Sequence, residues 1–150
     1  MKNLDWEKLS FGYMPTDYNV RCYYRDGKWG EIEVCSDEYI KLHMAATSLH
    51  YGQEAFEGLK AYRCPDGKVR VFRMEENAAR LQSTCRGIMM PEVPTELFCE
   101  MVKKVVRLNQ EYIPTYESGA TLYVRPLLIG TSAQVGVHRA NEYLFLIFVT

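Results

Sequence analysis

The stretch LHYGQEAFEGLKAYR, residues 49–63, combines aromatic and carboxylate side chains with two glycines and lacks the clean alternation of an ordinary packing strand. Its second half predicts a strand. A bend or bulge near Gly52 would bring Tyr51 and Phe56 to the same side of the sheet, and Gly58 would permit a close approach of the backbone. The two aromatic rings would then line an apolar pocket, or they would form an ordinary aromatic cluster in the core.

Outward from this stretch, the chain reads as two hairpins. The runs VRCYY and EIEVC flank RDGKWG, whose Asp26-Gly27 pair predicts a turn. The predicted strand AFEGLKAY turns back through CPDG into KVRVFRM. Alternation along AFEGLKAY would place Phe56 and Tyr62 on one face and Glu57, Leu59 and Ala61 on the other.

Two helices and two closing strands follow. Glu75 and Glu76 favour a helix N-terminus, and Thr95 is expected to cap the second helix. Apolar residues recur at helical spacing in both: Ala78, Leu81, Cys85 and Ile88 in the first, and Leu97, Met101, Val105, Leu108 and Tyr112 in the second. Strands are expected over residues 120–129 and 143–149. The order predicts an α+β fold, a mostly antiparallel sheet with two helices packed on one face.

The strand TLYVRPLLIG carries a polar face. Period two places Thr121, Tyr123 and Arg125 on one side of the sheet and aliphatic residues on the other. Pro126 cannot donate to a ladder, so we expect this strand near an edge or a bend. Arg125 could hold a carboxylate by a two-pronged hydrogen bond. The alternative is a solvated surface arginine without a specific partner.

Arg80 lies at the margin of the apolar stripe of the first predicted helix. A marginal arginine can run its stem along the core and point its charge into a pocket, where its fork suits a phosphate. The alternative is a surface pairing with Glu76, one helical turn earlier.

The bulk composition excludes several classes of function. The net charge of −1 over 150 residues leaves no basic surface that favours nucleic acid, and no run is long enough to span a bilayer. The histidines lack metal-ligand spacing, so no metal site is expected. The five cysteines include no CxxC pair, and the start MKNLDWEKLSFGYMP lacks the apolar core of a signal peptide. A cytoplasmic protein is expected.

Three segments taken in order carry a resemblance: HYGQEAFEGLKAY, FRMEENAARLQ and LYVRPLLIGTSAQVGV. Together they closely resemble the branched-chain-amino-acid aminotransferases, which are fold-type-IV pyridoxal-phosphate enzymes. The resemblance implies that residues 1–150 are the N-terminal small domain, which ends at the connection to a missing C-terminal large domain. It implies transfer of the amino group of leucine, isoleucine or valine to 2-oxoglutarate, with pyridoxal 5'-phosphate bound between the two domains.

The resemblance also implies roles for individual residues. Arg80 matches the arginine that grips the cofactor phosphate. The residues that match the substrate pocket are Tyr51, Phe56, Tyr123, Arg125, Val135 and Val137. Arg125 is associated with the second carboxylate of glutamate. Val135 and Val137 lie in a loop that reaches the neighbouring subunit, so a homodimer that binds amino acids and 2-oxo acids is implied.

No catalytic residue is expected within this chain. The resemblance places the lysine that bonds to the cofactor beyond residue 150, and Lys60 does not match it, so residues 1–150 alone should be inactive. Two alternatives stay open. One is another fold-type-IV enzyme, a D-amino-acid aminotransferase or an aminodeoxychorismate lyase. The other is a stand-alone, non-catalytic interaction module.

Overall fold

The computed structural model describes residues 2, 4 and 12–150, so most of the segment assessed for a signal peptide lies outside the described residues. The described strands are β1 (Asn19–Arg25), β2 (Lys28–Trp29), β3 (Glu33–Cys35), β4 (Glu54–Phe56), β5 (Leu59–Arg63), β6 (Val69–Val71), β7 (Leu122–Gly130) and β8 (Tyr143–Val149). The described helices are α1 (Thr47–Tyr51), α2 (Met74–Gly87) and α3 (Thr95–Leu108), with short 3-10 turns at Gln110–Tyr112 and Tyr116–Ser118.

All the described strands join one antiparallel sheet. Its path runs β2-β1-β8-β7-β5-β6, while β3 also pairs with β1 and β4 also pairs with β7. The last of the described strands, β8, therefore lies inside the sheet, between β1 and β7. This arrangement confirms the predicted α+β class with a mostly antiparallel sheet.

The two longer helices pack on one face of the sheet. On β7, this helix face carries Leu122, Val124 and Leu128, which belong to the main core with residues of α2 and α3. That core includes the fully buried side chains Leu81, Phe98, Met101, Phe145 and Ile147. The opposite face, here called the open face, carries Tyr123, Arg125 and Leu127 on β7. A smaller apolar cluster covers part of the open face: Ile129, Leu144 and Leu146 with Ile40 and Leu42 against them.

The opening stretch does not form the single strand that was expected over residues 55–62. It begins as α1, ends that helix at Gly52 with a left-handed φ of 60°, and continues as β4. The chain then leaves the ladder at Glu57 and Gly58 and resumes as β5, and both strands pair with β7. The predicted division of faces is confirmed, because Ala61 is buried on the helix face while Phe56 and Tyr62 are exposed.

Both hairpins are confirmed, but their strand lengths differ from expectation. β1 extends one residue beyond the expected residues 20–24 at each end, whereas β5 and β6 are shorter than expected. Asp26 and Gly27 adopt positive φ values of 52° and 77° between β1 and β2, as a tight hairpin turn requires. The expected second strand, residues 31–35, is shortened to β3, and β2 forms within the predicted connection. Both β2 and β3 pair with β1. The second hairpin joins β5 to β6, and α2 begins at Met74 directly after it.

Three details of the helices differ from expectation. Ile88 lies beyond the end of α2 and is exposed. Thr95 is the first residue of α3 and not its cap: Pro94 precedes it, and the Thr95 hydroxyl accepts a hydrogen bond from Gln82. The buried stripe of α3 is centred on Phe98, Met101, Val102, Val105 and Val106, while Leu97 and Leu108 are half-buried at its margins.

Of the two positions expected for the strand that contains Pro126, an edge or a bend, the edge is wrong, because β7 has partners on both sides. Pro126 pairs with Ile147 of β8, and its carbonyl accepts the Glu57 N–H on the other side at 3.0 Å. In an antiparallel ladder the N–H and the carbonyl of one residue point to the same neighbour. Pro126 therefore lacks an N–H on the side that faces the break between β4 and β5, where no ladder bond is needed.

In the part of the chain that the structure describes, no helix combines the length and apolar character needed to cross a membrane.

Candidate functional site

Three of the predicted site residues meet on the open face. The Arg125 guanidinium lies 4.4 Å from the centre of the Phe56 ring and 5.2 Å from that of Tyr123. Its Nε and Nη2 also donate to the Tyr123 hydroxyl, at 3.2 and 3.0 Å. We call Phe56, Tyr123 and Arg125 the aromatic–arginine cluster. Register explains it, because Phe56 pairs with Leu127 and so projects from the same face as Arg125.

The cluster presents a positioned cation beside apolar rings. Phe56 is 61% exposed, so the cluster is open to solvent in this chain. Two N–H groups of Arg125 are directed at the Tyr123 hydroxyl, which fixes the guanidinium. Its Nη1 has no hydrogen bond to the described residues and can donate to a further acceptor. Such a surface can receive an apolar side chain against its rings and a carboxylate against its cation. The alternative of a solvated arginine without a specific partner is wrong for Arg125.

Gly58 lies directly against the cluster. A Cβ atom added at Gly58 would be 2.6 Å from the Tyr123 hydroxyl oxygen and 3.3 Å from the ring carbon that bears it. The predicted close approach of the backbone at Gly58 is therefore confirmed, and the group that it approaches is the phenol of Tyr123.

Tyr51 belongs to a different group of residues. Its hydroxyl donates to the Val135 carbonyl, and the loop around Val135 is tied to the start of α1. Ala46 and Ala133 form an isolated bridge, and the Gln134 N–H donates to the Ala45 carbonyl at 3.1 Å. The structure thus groups Tyr51 with Val135, and Phe56 with Tyr123 and Arg125.

The loop that carries Val135 and Val137 projects both side chains into solvent, with exposures of 83% and 87%. Its ends are held by polar residues that the sequence did not single out. Ser132 Oγ accepts the N–H groups of Asn141 and Glu142, each at 2.9 Å. Gln53 Oε1 accepts the Ala140 N–H at 3.1 Å, which links the loop to the residue after Gly52.

Arg80 projects from α2 to the break between β4 and β5. Its Nε donates to Glu57 Oε1 at 2.9 Å and its Nη2 to Glu57 Oε2 at 2.6 Å. Asn77 Nδ2 donates to the same carboxylate at 2.9 Å. The hydrogen bonds that the Arg80 guanidinium donates to the Glu57 carboxylate are the main cause that raises the pKa of Arg80 above its usual value. The expected alternative, a pairing with Glu76, is wrong, because Glu76 pairs with Arg73 at 3.4 Å.

Asn77 and Glu57 are polar residues of this region that sequence reasoning did not assign to a site. Asn77 precedes Arg80 by three positions, so both project from the same side of α2. That spacing was visible in the sequence, whereas their shared partner Glu57 was not. Asn77 also donates to the Gly58 carbonyl at 3.3 Å, so the Glu57-Gly58 break contacts Arg80 on one side and Tyr123 on the other.

The described residues contain no group of three or more His, Cys, Asp or Glu side chains arranged to hold a metal ion. His43 and His50 are engaged locally: His43 Nδ1 accepts the Ala45 N–H, and His50 Nε2 lies 2.8 Å from the Met44 carbonyl.

The chain is similar in sequence to known aminotransferases. No family model matches the chain. A branched-chain-amino-acid aminotransferase of Haemophilus influenzae is 49% identical over 99% of this chain, and one of Helicobacter pylori is 45% identical over 99%. The chain spans 43% and 44% of the lengths of these two relatives, less than half of each.

Solved structures share the fold. The branched-chain amino acid aminotransferase of Escherichia coli superposes with a TM-score of 0.64 and 23% identity, over 90% of this chain and 40% of that one. The corresponding enzyme of Thermobaculum terrenum, solved in its PLP form, gives a TM-score of 0.62 and 21% identity, over 90% of this chain and 40% of its own. At these identities the likeness establishes the fold alone.

Proposed function

We propose that this chain, which is homologous to branched-chain-amino-acid aminotransferases over 99% of its length, forms the small domain of such an enzyme. The complete protein would transfer the amino group of leucine, isoleucine or valine to 2-oxoglutarate. The observation that carries the proposal is the aromatic–arginine cluster on the exposed sheet face. Leucine, isoleucine and valine have an apolar side chain, whereas 2-oxoglutarate has a second carboxylate.

The cluster suits both kinds of side chain at one place. An aliphatic side chain can lie against the rings of Phe56 and Tyr123, where burial of apolar surface stabilises it. A second carboxylate can accept hydrogen bonds from the Nη1 of Arg125, which Tyr123 and Phe56 hold in position. We assign Phe56 and Tyr123 to the pocket wall and Arg125 to recognition of the second carboxylate of glutamate and 2-oxoglutarate.

We assign Tyr51 to the wall of the same substrate pocket as Phe56, and we assign Val135 and Val137 to the pocket of a second copy of the protein, which their loop would reach. The support is that both valine side chains point away from their own chain. Burial of these two exposed apolar side chains against a partner would stabilise the assembly. A homodimer is the proposed assembly.

Pyridoxal 5'-phosphate is the proposed cofactor, with its phosphate held by Arg80. Arg80 fits this role, because its side chain is 67% exposed and, among the described residues, its guanidinium is hydrogen-bonded along one edge. Phosphate oxygens accept paired hydrogen bonds from the free edge of such a fork. The bound cofactor would supply the electron sink that amino-group exchange requires. Arg80 would fix the phosphate end of the cofactor relative to the sheet.

We propose that residues 1–150 are an N-terminal small domain and that a large domain supplies the lysine that bonds to the cofactor. Lys60 on β5 is not assigned that role. Under this proposal residues 1–150 alone do not catalyse transamination. The proposed location is the cytoplasm.

The test uses the complete gene product that contains this chain. Purified protein loaded with pyridoxal phosphate should lose its visible cofactor band when L-leucine is added and keep it when D-alanine is added. Phe56→Ala should lower kcat/KM for leucine and for glutamate by about tenfold or more, because each loses an apolar wall.

Phe72→Ala is the matched control, since Phe72 is another exposed phenylalanine that lies outside the cluster. Its kcat/KM values should equal those of the parent. A band that responds to D-alanine alone would assign the protein to a different fold-type-IV activity. No cofactor band under any condition would favour the non-catalytic module. Unchanged leucine and glutamate turnover in Phe56→Ala would remove the pocket assignment.

A further inference from the structure

Glu57 is the buried half of an ion pair whose other half is exposed. The Glu57 side chain is 4% exposed, whereas that of Arg80 is 67% exposed. Glu57 is also held by two other contacts: Asn77 donates to its carboxylate at 2.9 Å, and its own N–H donates to the Pro126 carbonyl at 3.0 Å. The carboxylate is therefore fixed by its surroundings, and Arg80 takes its position from the carboxylate.

The contact uses one edge of the Arg80 guanidinium. Nε and Nη2 donate to the two carboxylate oxygens, in a two-pronged arrangement. Nη1 and the second N–H of Nη2 form the other edge, and no hydrogen bond to that edge occurs within the described part of the chain. A guanidinium held on one edge presents its remaining donors in a fixed direction to a second oxyanion.

We propose that Glu57 is a positioning residue that orients Arg80 for the cofactor phosphate. The inference rests on the proposed function, because Arg80 is the residue assigned to that phosphate. A free arginine side chain would lose rotamer freedom when it binds a phosphate, and Glu57 removes that loss by ordering Arg80 beforehand. Glu57 does not touch the phosphate itself, and its negative charge alone would oppose phosphate binding.

The break in the sheet makes this arrangement possible. In a continuous ladder, Glu57 and Gly58 would be ordinary strand residues between β4 and β5. Opposite them, Pro126 lacks an N–H, so the ladder is interrupted there. The Glu57 side chain can then point to α2, while Gly58 lies against Tyr123 on the other side. The same two residues thus place the proposed phosphate contact and the proposed substrate contact relative to each other.

Glu57 orients Arg80 but also repels the phosphate by its charge, and these two effects predict opposite results when the carboxylate is removed. If orientation dominates, removal of the carboxylate weakens phosphate binding. If charge dominates, its removal strengthens phosphate binding. The cofactor without its phosphate, pyridoxal, reports any effect that does not act through the phosphate.

The experiment measures the dissociation constants of pyridoxal phosphate and pyridoxal for the complete apoprotein, by absorbance or fluorescence titration. Glu57→Gln should weaken pyridoxal phosphate binding by about tenfold or more, a loss comparable to that for residues that orient metal ligands, and leave pyridoxal binding unchanged. In the Arg80→Ala background, Glu57→Gln should produce no further loss. If Glu57→Gln does not fold, Glu57→Asp, which keeps the charge and shortens the reach, should show the same selective loss.

Glu76→Gln is the matched control. It makes the same charge change four residues before Arg80, on a side chain that pairs with Arg73 and not with Arg80. Its affinity for pyridoxal phosphate should match that of the parent. Equal losses of affinity for pyridoxal phosphate and pyridoxal in Glu57→Gln would indicate a general structural role and overturn the inference. An unchanged or tighter affinity for pyridoxal phosphate would overturn it as well. Failure of the parent to bind pyridoxal phosphate at all would instead overturn the proposed function, and this inference with it.

Discussion

Among single residues, Gly58 is critical to the aromatic–arginine cluster because it has no side chain. Gly58 has no Cβ, and its backbone is in close contact with the Tyr123 hydroxyl that fixes Arg125. The substitution Gly58→Ala should therefore reduce stability by about 1–3 kcal/mol through overpacking. It should also displace Tyr123 from Arg125. Thermal or urea unfolding of the purified chain measures the loss of stability.

Two further variants make that prediction specific. Gly87→Ala adds the same methyl group at the end of α2, where it would meet no described atom within 4 Å outside its chain neighbours and its own helix backbone, and should not reduce stability. Tyr123→Phe removes the oxygen that the new methyl group would meet, so the double variant should recover most of the loss caused by Gly58→Ala. Equal stability of Gly58→Ala and Gly87→Ala would show that the close contact is absent in solution.

The sequence predicted some of these residue relations and missed others. Alternation alone placed Tyr123 and Arg125 on one face, because a strand has a fixed period of two. The contact of Arg125 with Phe56 depends on the register between β4 and β7, which local sequence does not encode. The partner of Arg80 was missed for the same reason, since Glu57 lies 23 residues away and on a different element.

At the scale of elements, the end of α2 carries a conformational cost that can be removed. The Met90 N–H donates to the Cys85 carbonyl at 2.9 Å, so the helix closes with Met89 in a left-handed conformation of φ 55°. Glycine is the usual residue at this point of such a helix end. Met89→Gly should raise the free energy of unfolding by about 0.5–1 kcal/mol, because the strain of the Cβ atom disappears.

Met89→Ala provides the control for that prediction. It removes the exposed methionine side chain and keeps the Cβ atom, so its unfolding free energy should stay close to that of the parent. Denaturant titration of the three proteins compares them directly. If Met89→Gly were no more stable than Met89→Ala, the left-handed conformation would not be the source of strain.

Elements set by local chemistry were predicted well, and those set by distant contacts were not. The Asp26-Gly27 turn and the strand Tyr143–Val149 follow from short patterns in the sequence itself. The short helix Thr47–Tyr51 does not, because a helix of five residues is stable only when tertiary contacts hold it. The edge position considered for Pro126 was wrong because the effect of this proline depends on the break between β4 and β5 that faces it.

At the scale of the whole molecule, burial divides the five cysteines into two classes. Cys22, Cys85 and Cys99 are buried, whereas Cys35 and Cys64 are partly exposed. Desolvation raises the thiol pKa of all three buried residues, that of Cys85 to about 11. Because the thiolate is the reactive form, these three thiols should resist alkylation in the folded chain at pH 8. A colorimetric thiol assay should detect Cys35 and Cys64 rapidly, and all five after denaturation.

Mass spectrometry of the alkylated chain identifies which residues reacted. Early labelling of Cys85 in the folded chain would show that the core between α2 and the sheet opens readily. Substitution of both Cys35 and Cys64 by serine should abolish the rapid phase and leave the unfolding temperature nearly unchanged, because neither side chain belongs to the main core.

The central place of β8 has a consequence for the order in which the fold assembles. β1 pairs with β2 and β3 near the start of the described chain, and β7 pairs with β4 and β5, but only β8 joins these two halves. During synthesis the strands of both halves emerge first, and no strand pairing can join them into one sheet until Tyr143–Val149 leaves the ribosome. Docking of a late strand between early ones creates many long-range contacts and is intrinsically slow. A nascent chain paused before Tyr143 therefore leaves unpaired the edges of β1 and β7 that β8 later covers, and unpaired strand edges are prone to aggregation.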